Sequence, residues 1–263
     1  EGVARFDGRS FTVFDRQNTP GMEMSGVFAI VPEADGGVLV GTAYDGVFRY
    51  LGGRWEHLGD ARAQRLRVAS MLRGRDGALW VGSEEGLFRI ETDGRLSAAV
   101  AGLPTGRITA LLQQPDGGVL VGTGQGLFRL DPAMRRARRW GRTLAMRAAA
   151  VRRLSHDRDG GLLVAGDAGV FWLHADGQLQ WLRQGQRVDA ALQDRQGQLW
   201  TSLSSGQLLR RSPSGASEEM LSISGVVSSA LIEDREGLVW AGSTDGLFRV
   251  AAGDAGGLTR HDG

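Results

Sequence analysis

The chain has 263 residues, of which 41 are glycine and 6 are proline, and it contains no cysteine. The absence of cysteine excludes disulfides, thiolate catalysis and cysteine-ligated metal sites. All 31 basic residues are arginine and 30 residues are acidic, so the net charge of +1 gives no case for a nucleic-acid partner, and a lysine nucleophile is excluded.

The first element predicted in the chain is a β-hairpin over residues 2–14. Its sequence, which begins Gly-Val-Ala-Arg-Phe-Asp-Gly, matches the stretch that begins at Gly46. That stretch is the second half of a repeat unit, so the hairpin corresponds to a repeat whose first half is missing. Because the chain starts at Glu1 without a methionine, we expect it to be part of a longer polypeptide.

Six complete copies of one motif follow the hairpin. A glycine precedes the third strand of every copy, and successive glycines are 40, 40, 43, 37 and 40 residues apart: Gly46, Gly86, Gly126, Gly169, Gly206 and Gly246. We place the copies at residues 26–58, 68–100, 108–140, 151–182, 188–221 and 226–261, within a single domain over residues 1–263.

Each copy reads as a turn, a strand, a tight loop and another strand, as in residues 76–89. Asp76 and Gly77 suit the turn, because glycine reaches positive φ without steric cost. Gly82 lacks a side chain, so we expect a neighbouring sheet to approach it closely. The apolar position after the turn is tryptophan in three copies and is expected to pack in the core: Trp80, Trp200 and Trp240.

Every copy holds four short β segments in about 40 residues, with no helical period between them. In repeat two we place them at residues 68–72, 78–82, 87–90 and about 95–98. This spacing predicts an all-β protein, a β-propeller whose blades are four-stranded antiparallel sheets. We prefer a propeller with six complete blades plus the N-terminal outer hairpin of a seventh. A six-bladed ring with an extra hairpin is the alternative, and an unspecified antiparallel β fold is a third interpretation.

The copies also resemble a known family at the level of individual residues. Residues 108–112 (ITALL) with residues 116–126 (DGGVLVGTGQG) are similar to the two-component regulator propeller repeat, and residues 68–72 with 76–86 fit it equally well. The resemblance covers nearly all of the chain, although repeat five departs from it, for example at Ser202. It implies an extracytoplasmic sensor domain of a histidine kinase, hybrid two-component or diguanylate cyclase receptor. Known ligands of some members are carbohydrate fragments.

The resemblance also sets the expected location. We expect the chain to be periplasmic, as part of an inner-membrane receptor, and a homodimer formed through that receptor would fit. No apolar run approaches the ~20 residues of a membrane helix, so the segment itself is not expected to insert into a membrane.

Three arginines share one place, the residue before the first strand of their copies: Arg67, Arg107 and Arg187. In propellers the first strand lines the central channel, and ligands usually meet the face made by the loops before it. Guanidiniums converging there would bind an anion such as a carboxylate, sulfate or phosphate. The alternative is that they are solvated loop arginines or partners of acidic residues in the loops.

Polar residues are unusual inside the first strands. Arg152 and Asp189 hold the same aligned position in two consecutive copies. A pair between them across adjacent blades would satisfy both charges. Alternatively, a ligand breaks the pair and uses both groups.

The loops between second and third strands vary among the copies, and variable loops on a rigid repeat scaffold are where specificity can be placed. Tyr44 lies in the only loop with an extra residue, so it could stack on a sugar ring. Glu85 and Gln125 are further ligand-binding candidates in their loops. For each of the three, an ordinary exposed turn is the alternative.

No catalytic residue, metal site or cofactor is expected. The acidic residues within 156–160 and 233–237 resemble fragments of calcium loops but supply too few oxygen ligands, and turn chemistry explains them. An enzyme would need convergent acid and base groups, and no such set stands out. We therefore expect a sensor that binds a small molecule or oligosaccharide, and not an enzyme. A protein-interaction scaffold is the alternative, and a propeller lyase or glycosidase is the third possibility.

Overall fold

The structure is a computed structural model that describes residues 2–6, 10–19, 26–97, 100–131, 136–141, 149–174, 178–222, 230–250 and 258–261. Within these ranges the chain forms 26 strands and one short 3-10 turn at Ala63–Arg65. No helix there is long and apolar enough to cross a membrane.

The first compact unit, Glu1–Ala148, contains a hairpin and three four-stranded sheets. The hairpin is β1 (Val3–Phe6) and β2 (Phe11–Phe14). Blade 1 is β3 (Val27–Pro32), β4 (Val38–Thr42), β5 (Val47–Leu51) and β6 (Arg54–His57). Blade 2 is β7 (Val68–Arg73), β8 (Leu79–Ser83), β9 (Leu87–Ile90) and β10 (Leu96–Ser97). Blade 3 is β11 (Ile108–Gln113), β12 (Val119–Thr123), β13 (Gly126–Asp131) and β14 (Arg136–Arg139).

The second compact unit, Ala149–Asp262, contains three further four-stranded sheets. Blade 4 is β15 (Val151–His156), β16 (Leu162–Gly166), β17 (Gly169–Leu173) and β18 (Leu179–Gln184). Blade 5 is β19 (Val188–Gln193), β20 (Leu199–Leu203), β21 (Gln207–Arg211) and β22 (Glu218–Ser222). Blade 6 is β23 (Ala230–Glu233), β24 (Val239–Ser243), β25 (Gly246–Val250) and β26 (Leu258–His261).

In every blade the strands follow one another in chain order and pair antiparallel with their neighbours. This confirms the predicted all-β propeller of six four-stranded blades. The predicted start of the sixth copy at residue 226 lies outside the described residues. The single-domain boundaries stay a prediction.

Within each compact unit, the hydrophobic core lies between consecutive blades. One cluster joins Leu39 and Val47 of blade 1 to Val68, Leu79 and Val81 of blade 2, all of them buried. The second strand of a blade is covered on both faces, which explains its continuous apolar run. Burying one such side chain contributes about 1.5–3 kcal/mol, so the interfaces between blades carry much of the stability of each unit.

The expected close approach at Gly82 is confirmed. A Cβ built on Gly82 would lie 2.8 Å from Ile108 Cγ2 of blade 3, and closer still to Ser70 Oγ. Ser70 in turn donates a 3.0 Å hydrogen bond to the carbonyl oxygen of Ile108. The missing side chain therefore lets blades 2 and 3 meet through a buried hydrogen bond.

The N-terminal hairpin packs on the outer strands of blade 1. The Phe14 ring lies 5.1 Å from that of Tyr50 and 5.3 Å from that of Trp55, measured between centroids. Arg5 donates a hydrogen bond to the Tyr50 hydroxyl at 3.3 Å. The hairpin thus occupies the place of the outer half of a neighbouring blade, in keeping with the predicted partial seventh blade.

Candidate functional site

The first strands of blades 1 to 5 each carry a β-bulge at their second residue. The pairing with the second strand shifts register between the first and third residues, so the second has no partner across the ladder. A bulge increases the local twist and re-aims a side chain. The bulged residues are Phe28, Ala69, Thr109, Arg152 and Asp189.

The residue before the first strand lies beside the loop that joins the second and third strands. In blade 2 the Glu84 N–H donates to the Arg67 carbonyl at 3.1 Å, and in blade 4 the Asp167 N–H donates to the Ala150 carbonyl at 3.1 Å. Each of these blades therefore gathers its pre-strand residue, its bulge and this loop at one end. We call it the bulge end of the blade.

At the bulge end of blade 2, Arg67 contacts the loop of blade 1. Its guanidinium carbon lies 5.2 Å from the centroid of the Tyr44 ring. Tyr44 is 57% exposed, and the Arg67 side chain is exposed as well. A cation–π contact of this exposed kind contributes about 0.5–1 kcal/mol. The structure thus brings together two of the residues singled out in the sequence.

Arg107 of blade 3 reaches both other blades of its unit. Its guanidinium carbon lies 5.7 Å from the centroid of the Phe28 ring, and its Nη1 lies 3.3 Å from Glu84 Oε1. Phe28 is 49% exposed, which is unusual for an aromatic ring inside a strand. We call Phe28, Tyr44, Arg67, Glu84 and Arg107 the aromatic–arginine cluster.

Sequence reasoning missed Phe28. The signal was present, because Phe28 occupies the same aligned position as Arg152 and Asp189, but an apolar residue in a strand reads as core. Alternate residues of β3 are exposed, among them Phe28 and Ile30, so the ring lies on the exposed side of this strand.

Glu85 and Gln125 serve first as turn residues. The Glu85 N–H donates to Ser83 Oγ at 3.0 Å, and the Ser83 hydroxyl donates to Glu85 Oε2 at 2.8 Å. The Gln125 N–H donates to Thr123 Oγ1 at 3.0 Å. Both side chains are exposed. Within the described residues, neither side chain pairs with a member of the aromatic–arginine cluster.

In the second unit, four charged side chains meet at the bulge ends of blades 4 and 5. Arg152 Nε lies 2.6 Å from Asp167 Oδ1 and 3.6 Å from Asp189 Oδ1. Arg187 Nη2 lies 2.9 Å from Asp189 Oδ1, and Arg187 Nε lies 3.9 Å from Asp167 Oδ1. We call these four residues the ion-pair cluster. Its two positive and two negative groups balance.

The predicted pair of Arg152 and Asp189 therefore exists, but each residue has a shorter contact elsewhere. Asp189 is 6% exposed, and its Oδ2 is buried without a hydrogen-bond partner. Burial also lowers the pKa of the neighbouring Arg153 guanidinium. Arg187, which the sequence grouped with Arg67 and Arg107, lies in the second unit and is held by Asp189. Its part in an anion site stays a prediction.

Among the residues that the structure describes, no group of three or more histidines or acidic residues is arranged so that it could hold a metal ion. The acids that follow the first strands instead bind turn amides, as Asp157 does with the N–H of Asp159 at 2.9 Å.

The fold recurs among solved structures at low sequence identity. Virginiamycin B lyase from Staphylococcus aureus, in a catalytically inactive form with quinupristin, is 13% identical with a TM-score of 0.74, over 92% of this chain and 86% of that one. The extracellular domain of BT3049 from B. thetaiotaomicron, named as a hybrid two-component system, is 15% identical with a TM-score of 0.75, over 92% of this chain and 36% of that one. PorZ of Porphyromonas gingivalis, a component of the type-IX secretion system, is 18% identical with a TM-score of 0.68, over 93% and 42%. No family model matches the sequence, and no curated protein matches it.

These likenesses establish the fold, and they include extracellular domains of the kind that the sequence resemblance named. They also correct one expectation. The chain was expected not to be an enzyme, and that expectation was wrong as an argument from the fold, because streptogramin B lyases share the fold over most of the chain. The missing acid and base pair in the sequence is not a sufficient reason to set catalysis aside.

Proposed function

We propose that this propeller is the ligand-binding extracytoplasmic part of a membrane signalling receptor, and that it binds a small anionic molecule at the aromatic–arginine cluster. The observation that carries the proposal is the exposure of this cluster. Arg67 and Arg107 each lie over an exposed aromatic ring, and neither ring is needed to fill the core. Such residues present binding groups to solvent at one end of three consecutive blades.

The charge of the cluster favours an anion. Two guanidiniums face a single carboxylate, Glu84, whose Oε1 lies 3.3 Å from Arg107 Nη1. A guanidinium forms two parallel hydrogen bonds with a carboxylate, so a ligand acid could bind Arg67 without displacing Glu84. The exposed faces of Phe28 and Tyr44 would cover the apolar side of a ring. A small ring acid, or an oligosaccharide that carries one, has both features.

The fold supports the receptor part of the proposal. The extracellular domains of BT3049 and BT4673 from B. thetaiotaomicron share it, and this chain spans only about a third of the first of them. A propeller that forms part of a longer extracellular receptor fits this relation. We extend the same location to this chain, as a domain on the outer side of an inner membrane.

Calorimetric titration with a panel of hexuronic acids and aromatic carboxylates tests the proposal. We expect saturable binding that is lost in the Arg67→Ala, Arg107→Ala double variant. Arg95→Ala is the matched control, because Arg95 is a highly exposed arginine of the same unit, and its ion pair among the described residues is with Asp93, outside the cluster. Absence of binding to every acid, or binding that survives the double variant, would contradict the proposal.

Two further readouts separate the other functions. Chemical conversion of any panel member, followed by mass spectrometry, would assign catalysis to the shared lyase fold. A stable complex with another protein, without binding of small ligands, would favour a scaffold role. Either result would replace the sensor proposal.

A further inference from the structure

A cavity of about 310 Å³ lies at the other end of blades 2 and 3, away from the bulge end. Its walls are formed by the turns between first and second strands, by Trp80 of β8 and by Asp131 at the end of β13; the turn residues are Gly74, Arg75, Asp76 and Asp116. Its volume is at the lower limit of sites that hold small molecules. All of these residues belong to the first compact unit.

Trp80 contributes an unused hydrogen-bond donor to this cavity. The side chain is only 3% exposed. In the described part of the chain its indole N–H finds no hydrogen-bond acceptor. Its Nε1 lies 3.4 Å from the point where a Cβ on Gly74 would stand. Its Nε1 atom still opens onto the cavity, so this N–H can donate to water or to a hydroxyl of a bound molecule.

In blades 5 and 6 the equivalent tryptophans donate their N–H to an aspartate of the same blade. Trp200 Nε1 donates to Asp194 Oδ2 at 2.7 Å, and Trp240 Nε1 donates to Asp234 Oδ2 at 2.6 Å. In each case the aspartate lies six residues before the tryptophan. Blade 2 has Gly74 at this position, so the tryptophan is present but the aspartate that accepts its N–H hydrogen bond is missing.

The Asp76 carboxylate occupies part of the space beside Gly74, and its charge limits which ligands can bind there. Its Oδ1 accepts the Ala78 N–H at 3.2 Å and lies 2.7 Å from the Cβ point of Gly74, while its Oδ2 pairs with Arg89 at 2.9 Å. The open donor on Trp80 therefore stands near an anionic acceptor. A hydroxyl group can accept from the first and donate to the second. An ammonium cannot accept, and a carboxylate would be repelled by Asp76.

We propose that this cavity binds a small polyhydroxylated molecule of about six carbons. One hydroxyl bridges the Trp80 indole N–H and Asp76 Oδ1. Other hydroxyls donate to the carboxylates of Asp116 and Asp131, which also line the cavity. A neutral ligand suits a wall on which Arg129 already pairs with Asp116. The site does not depend on the aromatic–arginine cluster.

Titration of the whole chain with glycerol, sorbitol and myo-inositol tests the proposal by calorimetry and tryptophan fluorescence. We expect saturable binding of at least one six-carbon probe. Polyols also stabilise proteins by exclusion from their surfaces, without saturation. A rise in melting temperature that is linear in concentration and equal in all variants would therefore overturn the proposal.

Two variants locate the site. Gly74→Asp supplies the aspartate of blades 5 and 6, so it should abolish polyol binding and raise the melting temperature. Trp80→Phe keeps the ring and removes the N–H, so it should weaken binding at least fivefold. Trp200→Phe is the matched control, because its N–H already has an acceptor. It should lower the melting temperature and leave binding unchanged. Polyol binding that persists in Gly74→Asp and in Trp80→Phe would also overturn the proposal.

Discussion

The guanidinium of Arg107 lies over the ring of Phe28, with 5.7 Å between its central carbon and the ring centroid, although the residues belong to blades 3 and 1. The same guanidinium reaches Glu84 of blade 2 at 3.3 Å. One arginine therefore contacts all three blades of its unit. Because the ring is half-exposed on a bulge, its removal tests binding more than folding.

Phe28→Ala should weaken binding of the ligand acid by about 1 kcal/mol, roughly a fivefold rise in Kd, because it removes one cation–π and ring-stacking partner. The free energy of unfolding should change by less than about 1 kcal/mol, since the ring is half in solvent. Calorimetry and urea unfolding measure the two effects. Phe48→Ala is the contrast, because Phe48 is buried and its loss should cost about 3–5 kcal/mol. Equal losses of stability in both variants would contradict the view that the Phe28 ring serves binding and not core packing.

Gly82→Ala should destabilise the protein by about 1–3 kcal/mol, because one added methyl overpacks the contact between blades 2 and 3. The new Cβ would stand 2.8 Å from Ile108 Cγ2. Gly124→Ala is the matched control, since a Cβ there meets nothing within 4 Å. Urea unfolding of both variants gives the comparison. If the two variants prove equally stable, Gly82 does not set the spacing of the blades.

The fold was predictable because every copy repeats the same turn glycines and apolar runs. In repeat two the strands predicted at residues 68–72 and 78–82 are observed at Val68–Arg73 and Leu79–Ser83. Turn glycines and apolar runs act locally, so spacing alone locates the strands. The pre-strand position of Arg67 and Arg107 followed from the same alignment.

The partners of long side chains were less predictable. Arg152 was expected to pair with Asp189, yet its shorter contact is with Asp167 of its own blade, at 2.6 Å. A flexible guanidinium selects among several nearby acids, and sequence spacing does not rank them. The exposure of Phe28 was also missed, because an aromatic residue inside an apolar strand is expected to be buried, and nothing in the apolar pattern of residues 27–31 marks which side of the strand is open.

Stability at acid pH should depend on Asp234. Burial raises the pKa of Asp234, but the Trp240 indole N–H and the backbone N–H groups of residues 236–238 together hold it below its usual value. A carboxyl with a lower pKa in the folded state stabilises the protein above its unfolded pKa of about 3.9, and this contribution is lost as the pH falls through the folded value.

Asp234→Asn should therefore be less stable than the parent chain at pH 7, and the difference should shrink as the pH falls below about 4. Urea unfolding at pH 7 and at a series of lower pH values measures it. Asp245→Asn removes the same charge from an exposed loop of blade 6 and should show no such convergence. A difference that stays constant with pH would mean that the Asp234 carboxylate makes no net contribution to folding.

The ion-pair cluster of the second unit gives a final prediction. Arg187→Ala should destabilise the protein by about 1–3 kcal/mol, because it leaves the buried carboxylate of Asp189 with only the more distant Arg152. Adding Asp189→Asn should recover part of the loss, since the neutral amide needs no charged partner. Urea unfolding of the single and double variants completes the cycle.

Arg183→Ala is the control. It breaks a pair with the exposed Glu218 and should cost less than about 1 kcal/mol. If Asp189→Asn lowers the free energy of unfolding further, Arg187 does not act by neutralising the buried carboxylate. The loss in Arg187→Ala would then come from packing and not from charge.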